Sequence, residues 1–367
     1  MQTYLKIVLT SILLIILQHV TRVVYLLGFH KHVYNHEPGP CKYMDGIEFG
    51  SEDIATLPDG KAFITSGIVM PTSSSLFRQV YAEKKAKGQI FFFDFKSSES
   101  GVAPLTIQGD FNASDFYPHG IDYWQDKTSG KVFIFVVNHR RQFDAVEKFE
   151  FVPSDKSLKH VRSYVDPAIY FINDVAVTGE NSFYFTNFQS SRSQTWAALE
   201  IYLMLQLGSI SYFDGKHYET VAEGYMLPNG LALSLDKRHL YMASTLIGAI
   251  RVFRREENAG QLTFVQEVKL NTSPDNPTIN PLTGHLLVGA QPIIIKTAHT
   301  LENPRLPSPA QVLHFEVNDD GTLSKIKEPY LNDGSVLWSS SVASLYDNKM
   351  LIGTVVHKLL LCEVRAF

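Results

Sequence analysis

Glu52, Asn173, Asn229 and Asn276 share one local setting: each stands at the head of an alternating apolar run, eight residues before a turn at Gly60, Asn181, Lys237 or Gly284. One carboxylate and three amide oxygens in a common register, with Asp275 beside Asn276, make a set of hard donors without thiolates. Such a set suits Ca²⁺, which takes about 6–8 oxygen ligands, rather than tetrahedral zinc. Asp53 and Asp174 follow Glu52 and Asn173 and, one residue along an extended chain, face the other way. With main-chain carbonyls they could hold a second, deeper Ca²⁺. His119 takes the same register in another unit, and His139 ends that unit's next strand. Two histidines beside a Lewis-acidic cation suggest a general base and its orienting partner, for water attacking a polarised carbonyl. Each residue type also has a duller use, as a turn asparagine bonded to local backbone, a buried ion pair or a satisfied structural histidine.

The elements that must position these residues come from a repeat. The unit is a polar pair, an alternating apolar strand, a turn, and a second alternating strand that ends in small or hydroxyl residues. It begins at Glu52-Asp53, His119-Gly120, Asn173-Asp174, Asn229-Gly230, Asp275-Asn276 and Ser340-Ser341. Its turns near Gly60, Gly130, Asn181, Lys237, Gly284 and Asn348 recur roughly every 58 residues, close to a four-stranded blade with longer loops. Six hairpin-bearing units predict an all-β fold, a six-bladed β-propeller closed around an axis on which equivalent positions converge. A sandwich would need no such recurrence. Ser193 to Leu207 lacks Gly and Pro and spaces Trp196, Leu199, Leu203 and Leu207 as a helix does, which predicts a surface helix on one face. Thr72 to Gly88 is polar and basic without a strand period and reads as a mobile loop over a site.

The composition excludes several classes. With 45% apolar and 19% charged residues in 367, the chain can bury a large core, and a net charge of -4 offers no basic footprint for nucleic acid. Ile7 to Phe29 is apolar apart from Thr10, Ser11, Gln18, His19, Arg22 and a few small or aromatic residues, with no A-x-A-like cleavage site after it. It is long enough to span ~30 Å of hydrocarbon, so we read residues 1–35 as an uncleaved signal-anchor with a linker, and 36–367 as the propeller. A cleaved signal or an interfacial helix are the alternatives. The two cysteines, Cys41 and Cys362, lie near opposite ends of the propeller region. They are either two buried thiols or a bridge that fastens the start of the ring to its finish, with an entropic ceiling on the order of 5 kcal/mol. A bridge would place the body in an oxidising compartment, luminal or extracellular, consistent with sequons at Asn112 and Asn271.

On these residues the chain resembles the paraoxonase/arylesterase family. The segments that carry the resemblance are GIEFGSED (Gly46 to Asp53), YPHGI (Tyr117 to Ile121), VVNH (Val136 to His139), IND (Ile172 to Asp174), Asn229-Gly230, Asp275-Asn276 and LIGTVVHK (Leu351 to Lys358), with Cys362 close behind. The resemblance implies a calcium-dependent six-bladed propeller that hydrolyses lactones and aryl esters. It implies a catalytic calcium on Glu52, Asn173, Asn229, Asp275 and Asn276, and a structural calcium on Asp53, Asp174 and the Ile121 carbonyl. It further implies a His119–His139 dyad, a Cys41–Cys362 disulfide and an uncleaved N-terminal segment. The chain departs from the family at Phe188-Gln189 after Thr186-Asn187, at Ala290-Gln291 where Cys-His is usual, and at Met70. Metal positions are kept while the pocket wall changes. The resemblance therefore carries a second expectation: nematode paraoxonase-like membrane proteins assist assembly of ion-channel subunits, and this propeller could serve membrane-protein partners in that way.

Overall fold

Each of the six repeats folds as the inner pair of strands of one blade. In the computed structural model, which describes residues 1–97, 101–256 and 260–365, the innermost strands are Ile54–Thr56, Pro118–Gln125, Ile172–Gly179, Pro228–Leu233, Ser273–Ile279 and Ser340–Tyr346. Each pairs antiparallel with the strand after its turn, and the innermost strands contact one another in a ring around the axis. Five sheets have four strands and the second has five, because Thr106–Gln108 adds in parallel to its outer edge. At four of the six turns the left-handed residue is the glycine or lysine expected there: Gly60, Gly130, Lys237 and Gly284, with Asp347 before Asn348 at another.

The core is six layers, one between each pair of neighbouring blades. Between the second and third blades, for example, Phe135, Tyr164, Phe183 and Phe213 pack with ring centroids 5.1–6.2 Å apart. Each such ring contributes about 1.5–3 kcal/mol by leaving water. Closure is made by the N-terminal strand Cys41–Tyr43, which becomes the outer strand of the last blade beside Leu360–Glu363, with Cys41 and Cys362 as register partners. These two cysteines form the disulfide, across a separation of 321 residues.

Four α-helices are present among the described residues. The first, α1 (Gln2–Leu27), has no buried residue, a mean hydropathy of 2.0 over its most apolar window, and ends at Gly28 in the left-handed region. The others, α2 (Ser75–Glu83), α3 (Gln194–Tyr202) and α4 (Ile294–Glu302), each follow the second strand of a blade. They therefore lie at the end of the axis where innermost strands begin. The expected helix after Ser193 is α3, shorter than the segment proposed for it, and its Trp196, Leu199 and Tyr202 face outward. The loop expected over Thr72 to Gly88 is corrected: α2 occupies its middle. Ser74 caps that helix, accepting from the Phe77 amide at 2.9 Å, and Phe77 and Val80 form a short apolar stripe packed against Phe49. Two buried side chains in a helix of nine residues are a weak sequence signal, and burial against Phe49 completes them. The helix α4 carries no side-chain N-cap and thus no start signal, so its residues carry no expectation of a helix.

Candidate functional site

The putting together of the site begins with a defect repeated in the blades. The pairing of innermost and second strands skips between Pro118 and Ile121, Ile172 and Val175, Pro228 and Leu231, Pro274 and Pro277, and Ser340 and Val342. The residues left unpaired are His119-Gly120, Asn173-Asp174, Asn229-Gly230, Asp275-Asn276 and Ser341, the heads of the repeats. A bulge frees two consecutive residues from strict alternation, so both can be turned toward the axis. Blades approach most closely here: a Cβ on Gly120 would lie 2.1 Å from Asp174 Oδ1, and one on Gly230 2.5 Å from Asn276 Oδ1. Only glycine leaves room for those oxygens.

Glu52, Asn173, Asn229, Asp275 and Asn276 are all buried. The Asn276 amide donates to Glu52 Oε1 at 2.8 Å, and Gln291 donates to Asp275 Oδ2 at 2.6 Å. Glu52 Oε2 and the Oδ1 atoms of Asn173, Asn229 and Asn276 have no hydrogen-bond partner. An orphaned buried polar atom costs about 1–3 kcal/mol, so four oxygens from four blades, without a donor among them, fit a hard cation better than any protein group. No group of three or more His, Cys, Asp or Glu gathers as a metal cluster among the described residues; in this ring the amides outnumber the carboxylates. Burial pushes the Glu52 carboxyl up to about 7, and burial followed by the neighbouring Glu52 charge pushes Asp275 well above the usual range.

Asp53 and Asp174 lie on the same inner strands and stitch blades together. Asp53 Oδ2 accepts from the Ile121 amide at 2.8 Å, and Asp174 Oδ2 from the Leu231 amide at 2.6 Å. The backbone amides of Asp53 and Asp174 donate to the hydroxyls of Thr65 and Thr186 at 3.1 and 3.2 Å. Burial and then a neighbouring carboxylate, Glu52 for Asp53 and Asp53 for Asp174, raise both carboxyls well above their ordinary value. Each carboxylate thus has an interblade role that stands beside any metal role.

The histidines form a chain. His119 Nδ1 is 2.8 Å from His139 Nε2, and His139 Nδ1 is 3.0 Å from Asp144 Oδ1. Asp144 Oδ2 accepts the Ile172 amide at 3.0 Å, and Arg192 Nη2 lies 3.4 Å from Oδ1. A carboxylate only accepts, so His139 carries its proton on Nδ1 and offers a bare Nε2; His119 then donates from Nδ1, and its Nε2 lone pair is left free. That Nε2 lies 3.4 Å from Glu52 Oε1, at the ring. Burial lowers His119 to about 3, and burial lowers His139 against the opposing pull of Asp144. Both rings are neutral near pH 7, the form a base needs.

The sequence reading did not find Asp144, Arg192 or Gln291. Asp144 had a signal, since it faces His139 across the hairpin that joins Val132–His139 to Asp144–Val152. Gln291 had the same kind of signal, since it lies across the hairpin from Asp275 and in the departure at Ala290-Gln291, whereas Arg192 comes from the next blade and had none. Of the sequons, Asn112 is exposed and caps the 3₁₀ turn Ala113–Asp115, while Asn271 is exposed in an interblade loop with Lys31 donating to its carbonyl at 3.2 Å.

The sequence profile of the arylesterase family matches residues 32–364. The chain is 36% identical over 326 residues to serum paraoxonase/arylesterase 2 of Gallus gallus, covering 88% of each chain. It is 34% identical over 326 residues to serum paraoxonase/lactonase 3 of Oryctolagus cuniculus, covering 89% of each. Among solved structures, a putative gluconolactonase superposes with a TM-score of 0.51 at 12% identity, over 91% of this chain and 98% of that one. Regucalcin, a calcium-binding protein from Agrobacterium tumefaciens, gives 0.50 at 11% identity, over 91% and 98%. At such identities the structural likeness speaks for the propeller fold.

Proposed function

The chain belongs to the arylesterase family, and from that membership we propose a calcium-dependent hydrolase of aryl esters and lactones, held at a membrane by α1. The observation that carries the reading is the ring of unpartnered buried oxygens on Glu52, Asn173, Asn229 and Asn276 with the free Nε2 of His119 at its edge. These residues and Asp275 would hold the catalytic calcium, and Asp53, Asp174 and the Ile121 carbonyl the structural one. Bound at the ring, calcium supplies a Lewis acid for the ester carbonyl and offsets the charge of Glu52 and Asp275. The protein's own part is proton handling. His119 Nε2 takes the proton of the attacking water, the charge that forms is shared with His139 through the 2.8 Å contact, and Asp144 keeps His139 in the required tautomer and stabilises it when charged.

Residues 1–35 act in this reading as anchor and linker, and 36–367 as the propeller. The 26 residues of α1 measure about 39 Å at 1.5 Å per residue, more than the ~30 Å of a hydrocarbon core. The disulfide and the exposed sequons Asn112 and Asn271 support a luminal or extracellular body carrying glycans. The test is hydrolysis of phenyl acetate and a lactone panel with and without EDTA, in wild type and His119→Gln. Turnover that is lost with EDTA and in His119→Gln supports the proposal; turnover untouched by His119→Gln removes the base. One observation favours a second reading. The outward Trp196, Leu199, Tyr202 and Leu203 lie by α1, whose His19 Nε2 is 2.8 Å from the Tyr202 carbonyl, giving an apolar surface at the anchor on which a membrane-protein partner could assemble. Folded, calcium-loaded protein without hydrolysis would favour that assembly role.

A further inference from the structure

Beside the histidine chain, a cavity of about 350 Å³ is lined by His139 and Tyr117 together with four arginines, Arg78, Arg140, Arg141 and Arg192. The four come from separate places: α2, the turn after His139, and the segment before α3. Their counter-charges are few and committed elsewhere. Glu147 is 2.6 Å from Arg140 but also accepts from Ser163 at 2.6 Å and Asn138 at 2.9 Å, with His160 at 3.2 Å. Asp144 is shared between Arg192 and His139, and Asp115 lies 3.9 Å from an Arg141 side chain that is 71% exposed. Arg78 has no carboxylate partner among the described residues, being held by the carbonyls of Met70, Pro71 and Ser73. The Nε of Arg192 is buried with no partner at all. The cavity is therefore a cationic concavity with guanidinium donors to spare, opening at His139, the partner of the proposed base.

We propose that this cavity is an anion subsite, and that the preferred substrates are esters or lactones bearing a carboxylate remote from the scissile bond. Guanidinium forks match a carboxylate bidentately, and partial burial strengthens such contacts over those in open solvent. The inference rests on the hydrolase reading for its word substrate, while the subsite itself does not. A pocket wall that departs from the family at Phe188-Gln189 and Met70 adjoins this cavity through Arg192 and Val69, so a changed substrate charge is where such departures would be felt.

The test uses full-length protein in detergent with calcium. Binding of two unreactive amides, 4-acetamidobenzoate and neutral acetanilide, is measured by calorimetry for wild type, Arg78→Gln/Arg141→Gln and Arg78→Lys/Arg141→Lys. Wild type should bind the carboxylate about tenfold more tightly than acetanilide, the Gln pair should lose most of that preference, and the Lys pair should keep part of it. Hydrolysis of 4-acetoxybenzoate against phenyl acetate should show the same preference, mainly in KM. Equal binding of the two amides by wild type, or a preference untouched in the Gln pair, overturns the subsite. Preference in binding without turnover of either ester keeps the subsite and removes the hydrolase reading; turnover of phenyl acetate without a binding preference does the reverse.

Discussion

At the scale of single residues, the proposed proton path depends on Asp144, which lies behind His139 rather than at the ring. Asp144 fixes the tautomer of His139, and through it the free lone pair of His119. An asparagine is nearly isosteric, but its amide can donate as well as accept and carries no charge to stabilise an imidazolium. We predict that Asp144→Asn lowers kcat on phenyl acetate by about 10²–10⁴ with a smaller change in KM; a kcat within twofold of wild type would remove Asp144 from the path. The ring oxygens give a second prediction. Asn229→Ala and Asn276→Ala each delete a buried, unpartnered acceptor, so each should weaken calcium binding and lower the melting temperature at limiting calcium, with the gap closing as calcium saturates. Identical calcium titrations of melting temperature for variants and wild type would show that these oxygens are not ligands.

At the scale of elements, the roof over the ring is tied together by caps. Ser74 accepts from the Phe77 amide and donates to the Glu302 carbonyl at 2.8 Å, so one hydroxyl starts α2 and satisfies the end of α4. The ion pair of Arg305 with Glu83 joins α2 to the turn that follows α4. Replacing Ser74 by alanine should cost about 1 kcal/mol from the cap, and somewhat more from the orphaned α4 carbonyl. Denaturant unfolding measures that loss, and hydrogen exchange should place it in α2 and α4, with the blade strands unchanged. Exchange that rises evenly through the blades instead would contradict a local role.

At the scale of the whole molecule, closure decides stability. A propeller is a closed ring only while its last blade is complete, and the outer strand of that blade comes from Cys41–Tyr43. The disulfide holds this strand in register, and its loop entropy sets a ceiling on the order of 5 kcal/mol, reduced by whatever else restrains the ends. Cys362→Ser should therefore lower the unfolding midpoint and the yield through the secretory pathway by opening one blade, and non-reducing peptide mapping of wild type should find Cys41 linked to Cys362. Two alkylatable thiols in protein purified without reductant would refute both the bridge and the oxidising compartment argued from it.

Local chemistry wrote the repeat into the sequence. Strand alternation, turn residues and the polar pair that heads each unit are short-range properties, so six hairpins, the anchor-length helix α1 and the common register of Glu52, Asn173, Asn229 and Asn276 were all legible before any coordinates. Tertiary structure decided what these units do to one another. The bulges that turn Asp275 and Asn276 inward together are pairing defects, visible only once strands are aligned. Helix α2 lacks a strong periodic signal because its apolar stripe is just Phe77 and Val80, and its burial partner Phe49 lies far back in the chain. Arg192 reaches Asp144 from the next blade, and Arg78 and Arg192 join Arg140 and Arg141 beside His139 only because neighbouring blades bring separate loops to one mouth. A linear sequence specifies each blade through neighbours a few residues apart, whereas the site is made of residues brought close by closure.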